Sequence, residues 1–332
     1  MWYSIRMKSR KNYDLIDFIK VVLALSIVGI HMNVPLLNWI GRIGVPFFFS
    51  ASGFFFFKKY DKEDSLGQIQ LLKNYCLRIF RLWIFWIIVN SPWLLLDVWH
   101  SHFKMILLIG FWLKLILFGW IEVFPIGWFL IASIFGMIIV TQLLKCVELK
   151  YIILLGLIIE VGLIIYNPIL DAGLSLGSSE TALRTILYLA LGCMFARYEM
   201  KIKIPHARPL FFILLFLNFI EFSLFNEKIV NLSLIGLVIV LFYLAMKSGF
   251  SMQNATNMRK LSTYIYPAQS IAIQLSVWVM SHLIHKPIDF MMSGLFIIFS
   301  SFILTIVLIF VSYSLIRRMM KVSRLEWLKY SM

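Results

Sequence analysis

Charge is scarce in this sequence. Of its 332 residues, 14% are Asp, Glu, Lys or Arg, whereas 61% are hydrophobic and 30 are Phe. So little charge cannot cover the apolar surface of a soluble domain of this length, and a water-soluble globule is excluded. Acid is scarcer still, with 16 Asp and Glu against 31 Lys and Arg, a net charge of +15. In a soluble protein that excess points to nucleic acid. In a chain of long apolar runs it points to the cytoplasmic ends of membrane spans, where Lys and Arg collect, so no nucleic-acid partner is expected. Cysteine is nearly absent. Cys76, Cys146 and Cys193 lie far apart without a CxxC spacing, which excludes a disulfide framework and a zinc site. No internal repeat, low-complexity linker or appended soluble domain is visible. Residues 1–332 therefore read as a single membrane domain, with a core over about 11–316 and a basic cytoplasmic tail over 317–332.

What is present is one apolar run after another. About 20 apolar residues span a bilayer, and spans are expected near 15–34, 43–57, 79–99, 126–144, 151–166, 183–198, 209–225, 228–246, 261–282 and 290–316. The first run is too long for a signal-peptide core and has no small-residue cleavage site after it, so no cleavable signal is expected. The stretch 104–120 is also apolar. If it does not cross, 25 of the 31 Lys and Arg fall on the inner side and 6 outside. If it crosses, 14 inner charges after residue 144 move outside and only three return. The bias of positive charge to the cytoplasm decides for the first layout. The expected fold is all-α, a polytopic membrane protein of about ten transmembrane helices with both termini cytoplasmic. Residues 104–120 form an interfacial or re-entrant helix on the outer face, where Trp112 and Trp120 suit the interface. The low Gly and Pro content and abundant Phe fit a bacterial plasma membrane, crossed many times.

Ionisable groups inside a span are expensive and mark function. The first span carries Asp14, Asp17, Lys20 and His31. Eleven residues separate Lys20 from His31. At 100° per residue the two face one side within about 20°, about 16 Å apart along the axis. Asp17 lies one turn before Lys20, within ion-pair reach. One stripe therefore holds a carboxylate and a cation near the cytoplasm and an imidazole in the outer half. The plainer alternative is a border lysine that anchors the helix and a histidine satisfied by a buried partner. Imidazole exchanges a proton near neutral pH, which suits a general base.

At this point the sequence resembles a known family. Asp14-Leu15-Ile16-Asp17-Phe18-Ile19-Lys20, ten residues and then His31 resembles the opening of the acyltransferase family 3 membrane proteins, which show Leu-Asp-x-Leu-Arg, ten residues and His. Lys20 stands where the family has Arg, so the charge is kept and the bidentate fork is not. The segment from Gly44 to Phe54, with Val45-Pro46 and Ser50-Ala51-Ser52-Gly53, is similar to the family's Val-Pro-x-Phe-Phe-x-x-Ser-Gly-Phe. Arg78-Ile79-Phe80-Arg81-Leu82 resembles its Arg-x-x-Arg-Leu, and Gly127-Trp128-Phe129-Leu130 its Trp-Phe/Tyr-Leu. Ser262-Thr263-Tyr264-Ile265-Tyr266-Pro267-Ala268-Gln269 resembles its late Ser-Tyr-Gly-Ile-Tyr-Leu-Leu-His, with Gln269 in place of the last His. The first 130 residues carry most of the likeness, and 140–250 are only generically hydrophobic.

The resemblance implies transfer of an acyl group, usually acetyl from acetyl-CoA, from the cytoplasm to an acceptor beyond the membrane. No bound cofactor is implied, and acyl-CoA is a substrate. The implied partners are acyl-CoA, an envelope polysaccharide or lipid-linked glycan, the lipid bilayer and separate polysaccharide-assembly proteins. His31 is the expected base, with Asp17 paired to Lys20 to orient the stripe. CoA phosphates need positive charge; Arg78 and Arg81, three residues apart on one helix face, are the expected donor site beside Lys20, and Lys58, Lys59 and Lys73 add attraction. Ser52 is a candidate hydrogen-bond donor to the thioester carbonyl, and Gly53 leaves room beside it; close helix packing is the plainer role for such small residues. Arg42 and Trp128 are candidate acceptor contacts, against plainer roles at the headgroups and in the aromatic belt. Two other functions compete. A transporter or flippase exporting a polysaccharide or an acyl donor would also use many spans and midplane charges, although no inverted repeat shows. A sensor or anchor domain of the kind attached to other enzymes is the third.

Overall fold

The computed structural model describes residues 13–100, 127–170, 183–224, 232–288 and 293–322. Among these the regular structure is helical, with no strand. The helices are α1 (Asp14–His31), α2 (Leu37–Gly41), α3 (Gly44–Tyr60), α4 (Ser65–His100), α5 (Gly127–Cys146), α6 (Leu149–Leu170), α7 (Arg184–Arg197), α8 (Ala207–Leu224), α9 (Leu232–Lys247), α10 (Ala255–Ile284) and α11 (Leu295–Val322). The stretch 104–120, residues 1–12 and most of the basic tail lie outside the described residues.

Each expected span falls largely on one of these helices. Among the described residues, four helical stretches are long and apolar enough to cross a membrane by length and composition: Leu37–Tyr60, Gly127–Cys146, Ala207–Leu224 and Leu295–Met320. α1 is not among them because Asp14, Asp17 and Lys20 crowd its first seven residues. Two helices show what lies around the bundle. α8 exposes Phe212 at 65% and Phe216 at 63%, and α11 exposes Phe296 at 84% and Ile303 at 61%. Contiguous apolar faces of this kind belong against lipid rather than water.

α7 is the buried centre. From Thr185 to Cys193 every residue is buried. It is held by backbone-to-backbone approach: a Cβ on Gly53 of α3 would stand 2.5 Å from the Leu189 carbonyl oxygen, and one on Gly192 2.3 Å from that of Ser50. Small residues permit such contact between membrane helices, where dispersion replaces the hydrophobic effect. α4 runs unbroken for 36 residues despite Pro92. Proline cannot donate to the carbonyl of Ile88; the Ser91 hydroxyl donates to that oxygen instead, at 2.7 Å.

One end of the bundle is tied by polar pairs. The N–H of Met252 donates to Asp14 (2.8 Å) and Arg259 to Asp17, so the starts of α1 and α10 are fastened together and the two helices run in the same direction. Lys58 and Tyr13 converge on the carboxylate of Glu199, with Lys58 at 2.7 Å, and Lys247 donates to the Glu199 carbonyl. Arg197 holds Asp61 through two bonds of 2.8 Å.

Candidate active site

α1 supplies the stripe, and its two ends are built differently. At its start Asp17 is fully buried. An isolated carboxylate there would be prohibitive. It is held by the guanidinium of Arg259, whose Nε lies 3.1 Å from both carboxylate oxygens and whose Nη2 lies 2.7 Å from Oδ2. The expected pairing of Asp17 with Lys20 is therefore corrected. A fork of five N–H donors meets a carboxylate edge-on better than an ammonium does, and it leaves the lysine uncommitted. Sequence spacing within α1 gave no sign of Arg259, which lies 242 residues away.

Lys20 is half-buried, its ammonium 5.9 Å from the centroid of Phe48. It lies within electrostatic range of Asp17, Arg259 and Arg78. Asp14 lies within electrostatic range of Arg259 as well, so three cations stand near two carboxylates, with one positive charge in surplus. Arg78 is exposed and rests over the ring of Tyr75 at 5.7 Å. The buried hydroxyl of Tyr75 shares a hydrogen bond of 2.8 Å with Ser52. Lys20, Arg78 and Ser52 therefore gather at one end of α1, α3 and α4. Arg81 is exposed one turn further along α4.

Two expected donor contacts go elsewhere. Gly53 is buried against the α7 backbone, where its missing Cβ sets helix spacing; it offers no ligand room. Lys58 is committed to Glu199 and Tyr13.

From Lys20 an aromatic wall leads away. Phe48 meets Phe129 (6.2 Å) and Tyr266 (5.9 Å), Phe129 meets Phe49 (4.6 Å), and Phe49 meets Trp128 (6.4 Å). Trp128 is half-buried at the end of this chain of rings.

His31 is the last residue of α1. It is exposed. It makes no hydrogen bond or ion pair with the described residues. Directly after it Asn33 and Leu36 take left-handed backbone, at φ 52° and 68°, a conformation that costs energy in leucine; the tight turn brings α2 back across the end of α1. α2 is followed by Arg42, whose guanidinium lies 5.3 Å from the Phe222 ring of α8. Beside it runs a polar relay that the sequence did not reveal: Trp39 Nε1 donates to Asn218 (2.8 Å), Asn218 to Ser233 (3.1 Å), and the Ser233 hydroxyl to Glu221. The residues at this end are hydrogen-bonding groups suited to hydroxyl-bearing ligands. Among the described residues, no three His, Cys, Asp or Glu side chains come together as a metal site would need.

The acyltransferase family 3 model, an acyltransferase domain, matches residues 13–313. A protein of Enterococcus faecalis named amino-acid racemase is 30% identical over 154 residues, which is 43% of this chain and 21% of that protein. The match thus spans about a fifth of the length of that relative. No solved structure matches the chain.

Proposed function

Since the chain belongs to acyltransferase family 3, we propose that it is a membrane O-acyltransferase that carries an acyl group, acetyl in the simplest case, from cytoplasmic acyl-CoA to a hydroxyl of an extracytoplasmic polysaccharide or glycolipid. The observation that supports it is the division of α1. One end gathers Lys20, Arg78 and Arg259 with Asp17 and Asp14, one positive charge in surplus; the other ends in an accessible imidazole. About 16 Å separates Lys20 from His31. The pantetheine arm of CoA joins its diphosphate to its sulfur through about a dozen bonds, roughly 15 Å when extended. Phosphates on the cations bring the thioester to the level of His31.

There the imidazole takes the proton of the acceptor hydroxyl as its oxygen attacks the thioester carbonyl. The carbon–sulfur bond breaks, the ester forms, and the proton passes to the departing CoA sulfur. Ser52 and Tyr75 stand lower, beside the donor. Arg42, Trp128 and the Trp39–Asn218–Ser233 relay are the acceptor contacts. The reading places ten spans in a bacterial plasma membrane with both termini cytoplasmic, residues 104–120 on the outer face, and separate assembly proteins supplying the glycan.

A second reading rests on the relative named amino-acid racemase, most of which lies outside the match: a membrane unit that anchors or senses for an attached enzyme. One experiment separates the readings. The gene is deleted in its host and restored as wild type or as His31→Ala, with membrane levels matched. Ester-linked acyl groups on surface glycans are counted by NMR before and after mild base. Esters that vanish on deletion and return with wild type alone support acyl transfer through His31. Full restoration by His31→Ala removes the catalytic assignment. Unchanged esters with reduced glycan export point to a transporter, and unchanged esters and export to the anchoring unit.

A further inference from the structure

Four deeply buried polar atoms on α4 and α10 have no hydrogen-bond partner among the described residues: Trp83 Nε1, Trp86 Nε1, Asn90 Oδ1 and Gln269 Oε1. Their residues are 5%, 2%, 0% and 0% exposed. The two amides are otherwise engaged, since Asn90 Nδ2 donates to the Trp86 carbonyl and Gln269 Nε2 to that of Tyr266, each at 2.8 Å. What is left over is two N–H donors and two carbonyl acceptors. Buried polar atoms in native proteins nearly always find partners, and the three orphans on α4 point to a ligand that supplies them.

The arrangement of these three is linear. Residues 83, 86 and 90 fall within about 60° on one face of α4. That face meets α10, because the Trp86 indole packs on Tyr264 with centroids 5.4 Å apart. Gln269 lies five residues beyond Tyr264, about 140° round α10 from the face that meets Trp86, so it stands outside this row. Trp83 begins the row about 8 Å past Arg78, and Asn90 ends it about 18 Å past Arg78. The row therefore starts beside the cations and runs to the depth of the outer half.

We propose that this row is a track for the pantetheine arm of the acyl-CoA donor. The arm carries two secondary amides, each with one N–H and one C=O. Indole N–H groups from Trp83 and Trp86 meet its carbonyls, the Asn90 carbonyl meets one of its N–H groups, and the aromatic faces of Trp83 and Trp86 line its apolar links. This assignment rests on the donor reading above and adds the residues that measure the arm.

The test uses the full chain purified in detergent and isothermal titration with two probes: CoA, and adenosine 3′,5′-bisphosphate, which has the nucleotide phosphates and no arm. Wild type is compared with Trp86→Phe and Asn90→Leu. Each variant should weaken CoA about tenfold, the loss of one hydrogen bond to a desolvated partner, and leave the bisphosphate unchanged. Without ligand, melting of Asn90→Leu should stay level or rise, because an orphaned carbonyl is removed. Variants that bind CoA like wild type show the row to be water-filled and overturn the track. Equal losses for both probes with lowered melting overturn it also, as a folding effect. A wild type that binds CoA no better than the bisphosphate removes the track alone. One that binds neither removes the donor reading, and the track with it.

Discussion

The two ends of α1 solve opposite problems with the same helix. At its start, Asp14 and Asp17 are buried and fully engaged, by the Met252 N–H and by the Arg259 fork. At its finish, His31 is open and makes no bond to the described residues. A charge that is buried and paired is rigid, because any motion uncovers the cost of desolvation. An imidazole left open can take and give a proton. The contrast shows a buried, paired acidic start and an open finish, and the proposed function uses them as scaffold and working group. In that proposal the lysine between them, left without an ion pair of its own because Arg259 holds Asp17, faces the donor's phosphates.

The sharpest break of this comparison is His31→Ala. It should lower the transfer rate by 10²- to 10⁴-fold, the usual contribution of a positioned acid–base group, with melting unchanged. A fall in melting temperature of several degrees in detergent would make His31 scaffold as well. Next comes Arg259→Ala. It leaves Asp17 buried without a partner and should destabilise by about 3 kcal/mol, reduced if water reaches through the half-exposed guanidinium site. Arg259→Lys should recover part of the stability and not the fork. Thermal unfolding of both variants measures it, and a loss under about 0.5 kcal/mol for Arg259→Ala would show that the start of α1 is not fixed by this pair.

Much of this division was legible in the sequence, and the parts that were not share a cause. Helical periodicity put Lys20 and His31 on one face, because both sit on a single helix whose geometry is fixed by local bonds. Apolar runs located the helices for the same reason. The partner of Asp17 was not legible. Spacing within α1 offered Lys20, whereas the partner comes from α10 and is set by tertiary packing. Gly53 was misplaced for the same reason: a small residue in a Phe-rich helix fits a ligand space or a close helix equally well, and only the Leu189 carbonyl 2.5 Å from its absent Cβ decides. Arg78 was legible as a cation at a helix border; its neighbours Tyr75 and Ser52 became a unit only through the meeting of α3 and α4.

Gly192→Ala tests whether α7 holds both ends in register. Its new Cβ would meet backbone rather than a movable side chain, so α3 must shift; the cost should be about 1–3 kcal/mol. Because α3 carries Phe48 and Ser52, the shift should also raise the KM for acyl-CoA. A variant that melts lower with KM unchanged would separate the packing of α7 from the donor end.

The smallest effect sharpens the comparison most, because it sets two charges at the same end of the bundle against each other. Arg197 and Asp61 form a pair in which both side chains are about a third exposed. Such a pair contributes less than about 1 kcal/mol, and the carboxylate neutralises the arginine for any phosphate. Asp61→Asn should therefore lower melting slightly, less so at high salt where the pair is already screened, and leave the KM for acyl-CoA where it was. Arg78 rests on an aromatic ring and forms no ion pair with the described residues. Arg78→Ala should leave melting alone and raise that KM about tenfold, the worth of one charged contact to phosphate. If the two variants exchange roles, with Asp61→Asn moving KM and Arg78→Ala moving stability, the donor site lies at α7 and not beside Lys20. Unequal but uncrossed effects would show that pairing, rather than position along the bundle, separates the cations that build this end from those that face a substrate.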